Sequence, residues 1–160
     1  MRLENLKIIL FIFYVILFAL FAFNNTFDFN ADYAFVQHVL SMDTTFSPNS
    51  TRAITDPSTW YAAYLFIILW QWVTALIGAL GCYQYMCFKK IACINLSLLM
   101  GITLYFAGFL CVASEWFLMW QSHTWNGQGT ALNFTLLFML LFIVVNLPEM
   151  MKDDLLQILN

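Results

Sequence analysis

The sequence predicts an all-α membrane protein, a four-transmembrane-helix bundle with a short amphipathic helix in the first extracytoplasmic loop. The chain is 62% hydrophobic and only 9% charged, against about 25% charged in an ordinary soluble domain. Four stretches without any charged residue each approach or exceed the roughly 20 helical residues that cross the hydrocarbon core. They are residues 8–27, 60–88, 91–114 and 130–147.

Residues 1–160 are expected to form one membrane domain. The first span follows Arg2 and Lys7 and in this respect looks like a secretory signal. The bulky run at 19–23 lacks the small-x-small pattern of a cleavage site. We therefore expect an uncleaved anchor.

The outer loop at 28–59 contains a segment with helical periodicity. Its apolar residues Phe35, Val36, Val39 and Leu40 share one helical face, and polar residues lie off that face. This pattern is typical of an amphipathic helix that lies on the outer surface of a bundle.

Small residues recur every fourth position on the second and third spans, as Thr74, Gly78 and Cys82 and as Thr103, Ala107 and Cys111. Such stripes let membrane helices approach closely, so we expect these two to face each other. Gln71 lies near the predicted middle of the second span, where an amide needs a partner. An interhelical hydrogen bond is the first explanation, and a ligand or ion contact is the alternative.

The cations indicate the orientation. Five of the six lie before the first span, between the second and third, or after the fourth, and Arg52 alone lies in the other connections. The positive-inside rule then predicts a multi-pass protein of the bacterial inner membrane with both termini cytoplasmic. The Trp and Tyr residues flanking the second and third spans fit an interface belt on the outer side.

Composition also limits the function classes. The sequence has no basic patch of the kind that binds nucleic acid. The expected partner is the lipid bilayer, and another membrane protein or complex is a further possibility. The four cysteines form no CxxC pair and none lies in an outer loop, which argues against a dithiol enzyme. No nucleophile–base pattern is recognisable, so the sequence favours a non-enzymatic protein.

Polar and aromatic side chains concentrate in the outer connections, and we expect them to converge on one extracytoplasmic surface. The candidate binding residues are His38, Asp43, Arg52, Glu115, Trp120, Gln121, His123, Asn126 and Gln128. Glu115 follows an apolar span, where an ionised group needs a partner, and Arg52 is the simplest choice.

A metal or haem site is the alternative use of the same residues. His38, His123, Glu115 and Asp43 are of the types that bind zinc, and two histidines can ligate haem. Their spacing matches no metal motif, so no cofactor is predicted, although both alternatives stay open.

Two blocks of the sequence carry a family resemblance. They read FVQHVLSMDTTF at 35–46 with RAI at 52–54, and EWFLMWQS at 115–122 with WNGQ at 125–128. With these blocks the chain resembles a bacterial family described as predicted small integral membrane proteins, domain of unknown function 2165. The resemblance covers nearly the whole chain. It implies a four-helix inner-membrane protein and supplies no activity.

Three function classes follow. The sequence favours a non-enzymatic binding protein or accessory subunit with a polar extracytoplasmic site. The alternatives are a small transporter or ligand-binding bundle, and a metal- or haem-binding membrane protein.

Overall fold

The computed structural model describes residues 3–46 and 51–147. Over these ranges the chain is helical and contains no strand. Arg2 and Lys152, two of the cations that indicate the orientation, lie outside the described residues. The helices are α1 (Leu3–Phe27), α2 (Phe29–Ser41), α3 (Pro57–Phe88), α4 (Ala92–Ile102), a π-helix that continues α4 (Thr103–Trp116), a single 3-10 turn (Met119–Gln121) and α5 (Gln128–Asn146).

Four of these helices are long and apolar enough to cross a membrane: Glu4–Phe27, Pro57–Phe88, Ala92–Trp116 and Gln128–Asn146. Local signals explain why the second begins before Trp60. Pro57 occupies the first turn, and the Asp56 carboxylate accepts a hydrogen bond of 3.0 Å from the Thr59 N–H. Both features favour a helix start.

The second and third spans are joined by a tight turn in which Lys89 adopts a left-handed conformation (φ 56°). Next to this turn α3 and α4 approach closely, because a Cβ at Gly81 would lie 2.9 Å from the Ile94 backbone nitrogen. Further from this turn along the same two helices, the Ser97 hydroxyl donates to the Thr74 carbonyl at 2.8 Å.

The small residues of the second span were predicted correctly as contact residues, but those of the third span were not. Thr74, Gly78 and Cys82 do pack inside the bundle, but Thr103, Ala107 and Cys111 are exposed. The buried small residues of the third span are Ser97 and Gly101, one helical turn apart in α4, and Ser114 near the end of the π-helix. They mark the face of that span that contacts its neighbours.

The core is aromatic and centres on α1. Tyr14 stacks on Phe11 and meets Phe138 of α5 edge to face. Its hydroxyl donates to the Ser97 carbonyl at 2.6 Å. A buried phenol needs such a partner because no water is available at this depth.

We call the end of the bundle that carries Lys7, Lys89 and Asn146 the terminal end. Here Lys7 is buried and donates to the carbonyl of Leu147, at the C-terminus of α5, where a cation is favoured by the helix dipole. Asn95 and Asn146 exchange two hydrogen bonds of 2.9 and 2.8 Å. The opposite end, formed by α2 and the 115–128 connection, is the loop end.

The half of the third span next to the loop end is π-helical. At its end the Phe117 N–H donates to the Val112 carbonyl, five residues back, at 3.0 Å. Such helices are rare and wider than an α-helix. The widening changes which residues share a face, so the four-residue spacing of Thr103, Ala107 and Cys111 no longer marks a contact stripe.

Candidate functional site

The loop end brings His38 and Asp43 together. Nδ1 of His38 lies 2.8 Å from an Asp43 carboxylate oxygen, and the imidazole stacks on Trp125, with ring centres 4.6 Å apart. The two residues come from the end of α2 and the turn after it, and Trp125 from the 115–128 connection. The contact therefore joins the two outer connections.

Ser122 and Gln121 extend this junction. The Ser122 hydroxyl oxygen accepts hydrogen bonds of 2.9 Å from the Thr44 hydroxyl and from the Trp125 N–H. The Gln121 side chain accepts the Phe46 N–H at 3.0 Å. These bonds tie the turn after α2 to the second connection.

Four further predicted residues of the 115–128 connection, Glu115, Trp120, Asn126 and Gln128, contact one another. Asn126 donates to the Trp120 carbonyl at 3.2 Å and accepts the Gln128 N–H at 3.0 Å. The Gln128 amide lies 3.5 Å from the Glu115 carboxylate. These contacts hold the connection in shape.

Arg52 lies beside Trp116, with its guanidinium carbon 5.5 Å from the ring centre, a distance typical of a cation–π contact. The expected Glu115–Arg52 ion pair is not among the ion pairs of residues 3–46 and 51–147, which join His38 to Asp43 and Lys89 to Glu4. Arg52 instead contacts the neighbour of Glu115.

The four-residue metal alternative does not assemble in the part of the chain that the structure describes. There, no three His, Cys, Asp or Glu side chains come close enough to hold a metal ion. His38 and Asp43 are in contact, whereas His123 is exposed and Glu115 lies near Gln128.

Beneath this surface lies a cavity of about 270 Å³ that sequence reasoning missed. All four spans and α2 contribute to its walls. Its lining consists of Phe21, Asn25, Asp32, Phe35, Val36, Tyr64, Ile67, Gln71, Tyr105, Phe109, Gly127, Thr130, Ala131 and Phe134.

A pair of buried amides forms the floor of the cavity. Asn25 of α1 and Gln71 of α3 are 9% and 4% exposed, and Asn25 donates to the Gln71 side-chain oxygen at 2.9 Å. The Tyr64 hydroxyl donates to the Asn25 backbone carbonyl at 3.3 Å. Both residues line the cavity, and no hydrogen bond of Asn25 Oδ1 or of Gln71 Nε2 to another described residue is found. If the amide groups were assigned the other way round, one acceptor and one donor would still be unused.

The rim is formed by exposed residues. Asp32 of α2 and Thr130 of α5 are both exposed and line the cavity. Although its side chain reaches solvent, the protein packed around Asp32 removes part of its hydration, and this desolvation, together with the nearby Asp28 carboxylate, raises the pKa of Asp32 above its ordinary value. The cavity therefore runs from a carboxylate at the loop end to an amide pair among the spans.

Aromatic rings form much of the wall. Phe109 stacks on Tyr105 and on Phe35, with ring centres 5.3 and 6.2 Å apart. The ring centre of Phe134 lies 4.9 Å from that of Tyr105 and 5.4 Å from that of Phe21. The rings hold one another in place, so the wall is preformed.

The sequence profile of a family described as "Predicted small integral membrane protein (DUF2165)" matches residues 3–148. The chain belongs to this family. No curated protein and no solved structure matches the chain significantly. Membership of DUF2165 makes the chain a small integral membrane protein in contact with the lipid bilayer.

The family description names no activity, so the function has to be argued from the site. Of the cavity residues, the sequence singled out only Gln71. Asn25 and Asp32 carried a usable signal: both are polar, and they border the same junction between the first span and α2. The sequence does not reveal how α1 is rotated about its axis, and this rotation is what directs Asn25 toward Gln71.

Proposed function

We propose that the protein is a non-enzymatic membrane protein that binds a small molecule in the cavity at its loop end. The observation that carries this proposal is the pair of unused amide atoms of Asn25 and Gln71 at the floor. Among the described residues, Ser114 Oγ is the one buried side-chain N or O atom without a hydrogen-bond partner. The two amide atoms are therefore accessible, and a ligand that enters the cavity can form hydrogen bonds with them.

Water alone is a poor occupant. At about 30 Å³ each, roughly nine water molecules would fill 270 Å³. Ordered waters need two to four polar partners, and most of the lining side chains are apolar or aromatic. A ligand that is apolar with a few polar groups suits this mixture, as in most small-molecule sites.

The lining supports binding more than chemistry. Among the described lining residues there is one carboxylate, Asp32, and no histidine, cysteine or serine. A nucleophile paired with a general base, the usual mark of covalent catalysis, is not formed by these side chains.

The location follows from the charges. We place the protein in a bacterial inner membrane with the terminal end, which carries Lys7, Lys89 and Lys90, in the cytoplasm. The loop end is then extracytoplasmic, and α2, as the expected amphipathic helix, covers the cavity from the outer side. A ligand would reach Asp32 from that side or from the outer leaflet.

The test compares the small molecules that copurify with two variants. Ala131 is 1% exposed and lines the cavity, whereas its neighbour Leu132 faces outward. We expect solvent extracts of wild-type protein and of Leu132→Phe, purified from native membranes, to contain the same bound compound by mass spectrometry. The Ala131→Phe side chain should fill the cavity, so this variant should not contain the bound compound. The proposal would be overturned if a folded Ala131→Phe variant contained as much of the compound as the wild type, or if the wild type contained no bound compound.

The second candidate function is that of an accessory subunit, which would bind its partner through a surface other than the cavity. Phe46 and Trp116 at the loop end are 70% and 56% exposed, and Trp120 packs against Phe46. Exposed aromatic side chains are common in protein interfaces. Native mass spectrometry of gently solubilised membranes tests this idea, since a lone monomer would contradict it.

A further inference from the structure

We infer that the cavity ligand is a small organic cation, an ammonium compound that pairs with Asp32 and lies against the aromatic wall. This inference rests on the proposed ligand-binding function and adds the chemical class of the ligand. It is carried by the arrangement of the lining residues and by the charge around the rim.

The charge at the loop end favours a cation. Among the described lining residues, Asp32 alone carries a formal charge at neutral pH. Asp28 lies near it, and in the sequence the two connections at this end also contain Asp43, Asp56 and Glu115, against the single cation Arg52. A site surrounded by one sign of charge concentrates ligands of the opposite sign.

The wall favours an organic cation over a metal ion. The faces of aromatic rings attract cations, and organic ammonium groups, which have alkyl substituents, use this attraction most readily. Six lining residues are Phe or Tyr, namely Phe21, Phe35, Tyr64, Tyr105, Phe109 and Phe134. A hard metal ion requires several oxygen ligands, and here a single carboxylate faces a wall that is largely aromatic.

The floor adds a second requirement. Asn25 and Gln71 leave one acceptor and one donor unused. Both are buried, whereas Asp32, in the same lining, is exposed. A hydroxyl group supplies both complementary functions, because it donates to one atom and accepts from the other. The expected ligand therefore carries an ammonium group at one end and a hydroxyl or similar polar group at the other.

The experiment uses three probes of matched shape on the full chain in nanodiscs. Choline is the cation, 3,3-dimethylbutan-1-ol is its neutral counterpart, and 3,3-dimethylbutanoate is a related anion. Binding is measured by the rise in unfolding temperature and by equilibrium dialysis. We expect choline to bind at least about tenfold more tightly than the alcohol, a difference of about 1.4 kcal/mol, and the anion to bind least.

Matched variants then locate the charge. Asp32→Asn should remove the preference for choline over the alcohol, and Asp28→Asn, which changes a nearby acid outside the lining, should keep most of it. The probe comparison on wild-type protein needs no variant, so it stands even if Asp32→Asn folds poorly.

Each outcome has a distinct meaning. Equal binding of choline and the alcohol would overturn the cation inference and leave ligand binding in place. Absence of binding by all three probes would also overturn it, and the copurification test with Ala131→Phe then judges the proposed function separately. An unchanged choline preference in Asp32→Asn would remove Asp32 from the site and with it the inference.

Discussion

The amide of Asn25 donates to the side-chain oxygen of Gln71 across the interface between the first and second spans, at 2.9 Å. Both side chains are almost fully buried, both residues line the cavity, and each leaves one polar atom unused. This contact therefore links α1 to α3 beside the cavity.

Replacing Gln71 with Leu should destabilise the protein, because Asn25 would lose its partner. Hydrogen bonds between membrane helices contribute about 0.6 kcal/mol on average and up to about 2, so we expect a loss of about 1 kcal/mol. The measurement is the free energy of unfolding in detergent. Gln84→Leu on the same helix is the control, since no side-chain hydrogen bond of Gln84 is found within the described ranges. A loss of equal size there would contradict the assignment.

Gly101→Ala should be strongly destabilising, and Gly108→Ala should not. A Cβ at Gly101 would collide with the Tyr14 hydroxyl and lie 3.1 Å from the Phe18 ring. It would displace the hydroxyl from its bond to the Ser97 carbonyl. Overpacking of this kind costs about 1–3 kcal/mol. At Gly108 the nearest atom of Leu104 is 3.8 Å away, an ordinary contact. Thermal unfolding of both variants gives the comparison, and equal unfolding temperatures would refute the close approach.

Asp32→Asn should stabilise the ligand-free protein at neutral pH. The pKa of Asp32 is raised by desolvation and by Asp28, and the titratable groups facing it are Asp28, Tyr64 and Tyr105. The contribution of Asp32 to stability is therefore fully present below the ordinary pKa of 3.8 and is lost as the pH rises through its raised pKa. Asparagine does not ionise, so the variant should keep that contribution at pH 7.

Unfolding measured between pH 4 and pH 8 tests this prediction. The difference between the variant and the wild type should grow with pH. Choline binding to the wild type should change in the opposite sense, because it requires the carboxylate and should weaken as the pH falls. A stability difference that does not depend on pH would contradict the role given to Asp32.

The orientation can be tested with two cysteines. Cys87 is exposed at the terminal end, and His123 is exposed at the loop end. In intact cells a membrane-impermeant maleimide should label the His123→Cys variant at position 123 and leave Cys87 unlabelled until the membrane is broken. Mass spectrometry of the peptides separates the two sites. Labelling of both sites or of Cys87 alone in intact cells would reverse or abolish the proposed topology.

Lys7→Leu should loosen the terminal end. The buried ammonium group donates to the Leu147 carbonyl, and its loss leaves that acceptor unpaired. A charged hydrogen bond contributes about 1.5–3 kcal/mol, so we expect a destabilisation of about 2 kcal/mol. The exposed Lys90, changed to Leu, is the matched control. Hydrogen exchange at the end of α5 should rise in the first variant only.

The fold could be predicted from the sequence because the bilayer imposes a simple condition. Every backbone group within hydrocarbon must be satisfied by its own helix, so four uncharged stretches indicate four helices. The contacts between those helices could not be predicted in the same way. Thr103, Ala107 and Cys111 have the right spacing for an α-helical stripe, but they lie in the π-helical segment and are exposed. The small pair at Ser97 and Gly101 was equally visible in the sequence.

The candidate site was predicted only in part. The sequence placed His38, Asp43, Gln121 and Asn126 in two connections at one end of the bundle. The structure joins these connections through the Phe46–Gln121 and Thr44–Ser122 hydrogen bonds. Their partners depend on side-chain direction, which spacing does not reveal, so Arg52 was matched to Glu115 although it contacts Trp116. The cavity needs residues from five segments of the chain, and no local pattern indicates such a space.

The hydrogen bonds from Lys7 to Leu147 and between Asn95 and Asn146 fasten the spans at the terminal end. The cavity, by contrast, lies under α2, a single short helix. Displacing α2 would therefore open an access route while the four spans keep their arrangement. If the cavity holds the proposed ligand, its exchange should be governed by how tightly that helix packs on α3 through Val36, Tyr64 and Ile68.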